Sequence, residues 1–225
     1  MKLGLYGGAF NPIHRCHLLV AETARSRLGL DTVLFIPTGD PPHKPPSDFI
    51  PAKHRLEMVR LAITQYPYFQ LSDIETRRET KSYTIDTVQS LKDTYPPDAR
   101  MVFIIGLDAF LQLPTWREPE RLLESCDFAV IARAGFQFKS LEKLPILGLT
   151  DPHHLTQLDA GQREQYEFRL KSGRSLWALA IPPCEVSSQE VRRRLKSKQR
   201  IENLLPTAVE SYILRYRSGA GGLPQ

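Results

Sequence analysis

The run Gly7-Gly8-Ala9-Phe10-Asn11-Pro12-Ile13-His14-Arg15-Cys16-His17 leaves a short apolar segment and enters an amphipathic one. Adjacent glycines after a strand permit a sharp turn and let main-chain amides approach a phosphate closely. The helix that follows offers free N–H groups and a partial positive charge at its start. His14 and His17 stand three residues apart at that entrance, a spacing that can turn both rings toward one anion. The run is neither G-x-G-x-x-G nor G-x-x-x-x-G-K-[ST], so neither a hydride-transfer fingerprint nor a Walker loop is supported. Two plainer readings compete with an anion site. One is a strand–helix turn with two surface histidines. The other is a zinc site of His14, Cys16 and His17, which needs three near-adjacent ligands to converge and a fourth that the neighbourhood does not offer.

A second stretch, Val186-Ser187-Ser188-Gln189-Glu190-Val191-Arg192, contains an S-x-x-E capping box, so a helix is expected to start there. Ser187 and Ser188 then sit at a helix N-terminus with Arg192 about one turn further in. Two hydroxyls, free amides and a guanidinium make a triphosphate cradle; the alternative is a capped helix with a solvated basic face, Arg192 to Arg200. Gly106-Leu107-Asp108 follows the apolar run MVFIIG. A carboxylate at the carboxyl edge of a strand suits sugar hydroxyls, or else caps a short helix.

Elements of regular spacing must position these groups. Strands are expected at Leu3 to Tyr6, Thr32 to Pro37, Phe69 to Ile74, Met101 to Ile105, Phe128 to Ala132 and Leu176 to Ile181, short and almost continuously apolar. Helices are expected at His17 to Leu28 with Gly29 as its stop, Ala52 to Gln65, and Thr84 to Tyr95 before Pro96-Pro97. The alternation argues for an α/β fold, an open doubly wound parallel sheet with helices on both faces and a small C-terminal helical part. Ligands in such sheets sit beyond the carboxyl ends of the strands. The proline-rich Thr38 to Pro51 reads as a stiff loop. Residues 134–175 read as an insertion, with a helix at Ala160 to Leu170. One domain over 1–217, with 183–217 as its helical part and 218–225 as a disordered tail, accounts for the 225 residues.

The chain is 41% hydrophobic and 24% charged, as expected of a globular protein, and no apolar stretch approaches the roughly 20 residues that span a bilayer. No membrane partner is expected, and the N-terminus lacks the apolar core of a signal peptide. Cys16, Cys126 and Cys184 are odd in number and far apart, which is not a disulfide framework and fits a reducing, cytoplasmic setting. The net charge of +5 is compatible with nucleic acid, membrane surface or small phosphorylated ligands. A nucleic-acid partner rests on the Arg192 to Arg200 run alone and is not expected.

Taken together, these motifs resemble the nucleotidyltransferase superfamily, whose signature G-[GS]-x-F-[DN]-P-x-H-x-G-H the first run nearly completes. Further segments are similar to bacterial nicotinate-nucleotide adenylyltransferases, in order along almost the whole chain: Pro41-Pro42-His43-Lys44, Ser82-Tyr83-Thr84-Ile85-Asp86-Thr87, Gly106-Leu107-Asp108 with Trp116, Val186 to Arg192, and Leu205 to Ile213. The resemblance implies adenylyl transfer from ATP, with Mg²⁺ brought by it, to nicotinate mononucleotide, by a monomer or homodimer. It implies that Gly7, Gly8, Ala9, Phe10, Gly106, Asp108, Ser187 and Ser188 bind ATP, with Asp108 on the ribose. His14, His17 and Arg192 are its catalytic groups, and His43, Lys44, Thr84, Trp116 and Arg133 meet the mononucleotide, Trp116 by stacking on the pyridine ring rather than filling a core. The chain departs from the family pattern at Cys16 and at Thr80, where relatives carry glycine. A pantetheine-phosphate or cytidylyl transferase, or a silent nucleotide-binding homologue disabled at Cys16, are the rival readings.

Overall fold

Uninterrupted apolar runs form strands buried on both faces, and the computed structural model, which describes residues 1–39, 49–132, 135–149, 151 and 153–218, builds them into one sheet. Strands β1 (Lys2–Gly8), β2 (Thr32–Pro37), β3 (Phe69–Leu71), β4 (Arg100–Gly106), β5 (Asp127–Ile131), β6 (Gln165–Arg169) and β7 (Ser175–Leu179) follow the order β3-β2-β1-β4-β5-β7-β6. The pairs β1–β4, β4–β5 and β5–β7 are parallel, with Tyr6 opposite Ile104 and Val130 opposite Ala178. The order reverses at β1 and β4, the switch point at which α/β sheets place their ligands. The loops leaving these two strands carry the first glycine–histidine run and Gly106-Leu107-Asp108. The expected doubly wound α/β architecture is the one observed.

Helix α1 (Arg15–Leu28) starts two residues earlier than its apolar spacing suggests. It ends as expected: Gly29 takes φ +60° and the Leu30 N–H donates to Arg25 O at 2.9 Å, closing the last turn. Helices α2 (Ala52–Ile63) and α3 (Thr84–Thr94) match their expected spans within two residues. Short helices α4 (Leu107–Phe110), α5 (Pro119–Ser125) and α6 (His153–Asp159) precede α7 (Ser188–Lys196) and α8 (Thr207–Ser218).

The helix expected at Ala160 to Leu170 is a strand instead. Tyr166, Phe168 and Leu170 alternate with exposed Gln165, Glu167 and Arg169, a period of two rather than 3.6. The Gly173 turn, with φ +78°, then folds β6 antiparallel onto β7. Before it, residues 135–149 form two short 3-10 turns, Phe138–Lys143 and Pro145–Leu147. The Asp159 carboxylate accepts the Phe138 and Lys139 N–H groups at 2.7 and 3.0 Å, tying α6 to the first of these turns.

The chain divides into two compact units. One comprises Met1–Tyr6, Val20–Val33 and Tyr83–Pro183, its core built from Leu3, Leu5, Val102, Ile104, Phe128, Val130, Leu176 and Ala178. The other comprises Gly7–Leu19, Leu34–Ser82 and Cys184–Gln225, its core built from Phe10, Ile13, Phe35, Met58, Val59, Val191, Val209 and Ile213.

Candidate active site

The turn after β1 belongs to the second unit, and its two glycines do not make it. Gly7 and Gly8 are extended residues of β1, and the left-handed residue is Phe10, at φ +43°. Such a conformation at a non-glycine costs of order 1–3 kcal/mol, and burial of the Phe10 ring, 2% exposed, offsets it. The ring folds back over β1, so that a Cβ on Gly8 would stand 3.2 Å from it. Gly8 is therefore small because of a neighbour, not because of its own φ.

Because α1 begins at Arg15, His14 precedes the helix and His17 lies in its first turn. The His14 N–H donates to His17 Nδ1 at 3.1 Å, and the two imidazoles lie 3.7 Å apart at 32°. A neutral imidazole that accepts at Nδ1 carries its proton on Nε2. Phe10 meets the His17 ring edge-on at 5.1 Å. The spacing expected to turn both rings together does so, with the centroids 3.7 Å apart.

Helix α7 docks on the same turn. Ser187 is its N-cap, accepting the Glu190 N–H at 3.1 Å. The capping box is half formed, since Glu190 turns its carboxylate to Arg193 and Arg194 at 2.6–2.8 Å. Those two guanidiniums hold the Glu190 carboxyl down at about 2. Part of the basic run is thus a solvated, self-paired face. Ser188 Oγ donates to Pro12 O at 2.9 Å, and Arg192 Nη1 to Asn11 O at 2.7 Å, using one of five guanidinium donors.

Two features of this unit have no counterpart in the sequence reading. Arg55, fully buried on α2, donates from Nε to Ile50 O, from Nη1 to Ala9 O and from Nη2 to Gly39 O, all at 2.8–2.9 Å. It lies over the Phe49 ring at 5.3 Å. Surrounded in sequence by Lys53, Glu57 and Arg60, it reads as solvent-facing. The missed signal is its register with Met58, Val59 and Ala62, positions of the buried face.

The second is covalent. Cys16 and Cys184, 168 residues apart, form a disulfide with Cα atoms 5.7 Å apart, which corrects the expectation of unpaired cysteines. Spacing along the chain cannot report such a pair, because docking of α7 beside the start of α1 creates it. It also removes Cys16 from the zinc reading, and among the described residues no group of three His, Cys, Asp or Glu side chains could hold a metal.

The first unit carries the remaining described residues. Gly106, not Asp108, is the N-cap of α4; Asp108 lies in its first turn, half-buried, where the helix dipole favours a carboxylate. Thr84 opens α3 after Tyr83. Trp116 ends the 3-10 turn Leu113–Thr115 and is half-buried, which sets aside its reading as a core side chain. Arg117 lies over the Tyr83 ring at 4.8 Å and meets Asp86 at 3.5 Å, so the tryptophan segment is tied to the first turn of α3. His43, Lys44 and Arg133 lie outside the described residues.

Comparison with known proteins gives the family and the fold. Residues 5–194 match the family model described as cytidylyltransferase-like. A curated relative from Pelobacter propionicus, "Probable nicotinate-nucleotide adenylyltransferase", is 40% identical over 222 residues, 96% of this chain and 97% of its own. One of the same name from Citrifermentans bemidjiense is 41% identical over the same shares. Among solved structures, the nicotinic acid mononucleotide adenylyltransferase of Plasmodium falciparum complexed with NaAD superimposes with a TM-score of 0.71 at 20% identity, covering 96% of each chain. Its complex with APC gives 0.70 at 19% and the same coverage.

Proposed function

The chain belongs to the nicotinate-nucleotide adenylyltransferases of the cytidylyltransferase-like family, and from that premise we infer how its residues move the adenylyl group of ATP onto nicotinate mononucleotide. The mononucleotide phosphate attacks the α-phosphorus, the new P–O bond forms in line with the bond that breaks, and pyrophosphate leaves. The nucleophile is already an anion, so no general base is required, and catalysis rests on positioning and charge neutralisation. Magnesium enters as part of the substrate, MgATP.

The observation that carries this reading is the docking of α7 on the Asn11–His17 turn through Ser188 and Arg192. It sets a capped helix start, a guanidinium and two imidazoles in one unit, a donor set for a polyphosphate. In this reading His17 Nε2–H and His14 face the bridging and leaving phosphates. Ser187, Ser188 and Arg192 take the outer phosphates, and the main chain of Gly7 to Phe10 packs against the nucleotide. Gly106 and Asp108 receive the ribose; Thr84 and Trp116 hold the pyridine end. His43, Lys44 and Arg133 enter the mononucleotide site on the resemblance alone.

Pyrophosphate release from ATP with nicotinate mononucleotide, compared with nicotinamide mononucleotide and phosphopantetheine, tests the assignment. Release with the acid substrate is expected to dominate, because donors aimed at a carboxylate stay unpaired against an amide. ATP binding without release would favour the silent homologue. Trp116→Ala is expected to raise KM for the mononucleotide about 2- to 30-fold, the equivalent of a cation–π contact of roughly 0.5–2 kcal/mol, while KM for ATP changes less. The opposite ranking would remove Trp116 from the pyridine.

A further inference from the structure

We propose that the Cys16–Cys184 disulfide is a reversible redox modification site that sets the affinity of the enzyme for ATP, an inference that rests on the phosphate-site reading above. Cys16 lies between His14 and His17, and Cys184 lies three residues before the N-cap Ser187. One S–S bond therefore joins the two stretches to which the polyphosphate is assigned. Besides it, these stretches share the Ser188–Pro12 and Arg192–Asn11 hydrogen bonds, both only partly buried. Water competes for such bonds, so they hold the helix start less firmly than a covalent link does. A preformed cradle binds its ligand more tightly than one that must be ordered on binding.

The bond is placed for exchange. Cys16 is 7% exposed, whereas Cys184 is half-buried in the extended segment that leads into α7. A thiolate of a dithiol reductant thus reaches the Cys184 sulfur, and the Cys16 sulfur leaves with the electron pair. Cys16 is the second residue of α1, where free amides and the helix dipole favour an anion. The leaving thiolate then takes up a proton. The second thiol of the reductant resolves the mixed disulfide and frees Cys184, so two electrons and two protons pass to the pair and the reductant becomes a disulfide. A small-molecule disulfide reverses the sequence. The third cysteine takes no part: Cys126 is buried and its thiol is pushed up to about 12 by burial.

The full-length protein is equilibrated with oxidised glutathione or with dithiothreitol. Maleimide labelling of the native protein is expected to modify no cysteine in the oxidised form and Cys184 in the reduced form, with Cys126 reacting only after denaturation. Calorimetry without an acceptor is expected to show ATP binding about tenfold weaker in the reduced form, within the usual range of coupling between sites, with mononucleotide binding unchanged. Cys184→Ser is expected to bind ATP as the reduced form does and to ignore both reagents; Cys184→Ala serves equally if the serine variant folds poorly. Labelling of Cys184 in the oxidised protein, equal ATP affinity in both forms, or no ATP binding in either would each overturn the proposal. Pyrophosphate release is scored separately, so loss of the assigned reaction with a redox-dependent ATP affinity would count against the function and not against the switch.

Discussion

His17→Ala is expected to lower turnover about 10²- to 10³-fold, the usual effect of deleting one aligned donor to developing charge. The geometry separates two contributions of this side chain. Nδ1 accepts the His14 N–H and so helps close the start of α1; in the proposed mechanism Nε2 is the atom that donates to the phosphates. His17→Asn keeps an acceptor near the Nδ1 position and removes the Nε2 donor. If the donor matters, Asn is expected to restore thermal stability to near the parent value while turnover stays as low as in the alanine variant. Recovery of turnover with Asn would assign His17 to helix capping alone.

Arg55→Met is expected to be the most destabilising single change in the second unit. Methionine fills much of the same volume but leaves the carbonyls of Ala9, Gly39 and Ile50 without their guanidinium donor, inside a region where Arg55 is 0% exposed. A buried acceptor that loses its partner costs about 1–3 kcal/mol; the Ile50 bond is buried and those to Ala9 and Gly39 are partly so, and about 3–5 kcal/mol is expected in total. For a chain of this size that is roughly a 10 °C fall in Tm. Lysine cannot rescue it, since a single ammonium does not reproduce a planar fork spanning three segments. Thermal unfolding of both variants checks this. A Tm within two or three degrees (roughly 1 kcal/mol) of the parent would show that water replaces the guanidinium. The Ala9 carbonyl belongs to the turn assigned to ATP, so the surviving folded fraction of Arg55→Met is also expected to show a raised KM for ATP.

What the sequence determined by itself was local. Continuous apolar runs specify strands buried on both faces, and spacing of 3.6 specifies α1, α2 and α3, because these depend on side chains a few residues apart. Glycine at 29 and serine at 187 announce a helix stop and a helix start for the same reason. Motif order along the chain was enough for the family, since the adenylyltransferase segments stand in sequence from Gly7 to Ile213. Residues 160–170 were misread as a helix, although Tyr166, Phe168 and Leu170 alternate with the period of a strand, because polar helix formers surround them.

Tertiary structure decided whatever depends on long-range partners. Gly8 is explained by the Phe10 ring over it and not by its own backbone. Arg55 is buried because the carbonyls of Ala9, Gly39 and Ile50, from three separate stretches of chain, all meet its guanidinium. His17 Nδ1 accepts the His14 amide, a partner that residue type alone does not announce. Cys16 is the sharpest case: its departure from the family glycine is visible in the sequence, but its meaning comes from Cys184, 168 residues away. Side-chain type and spacing record what a residue can do; which partner it meets is set only when α7 comes to rest against the start of α1.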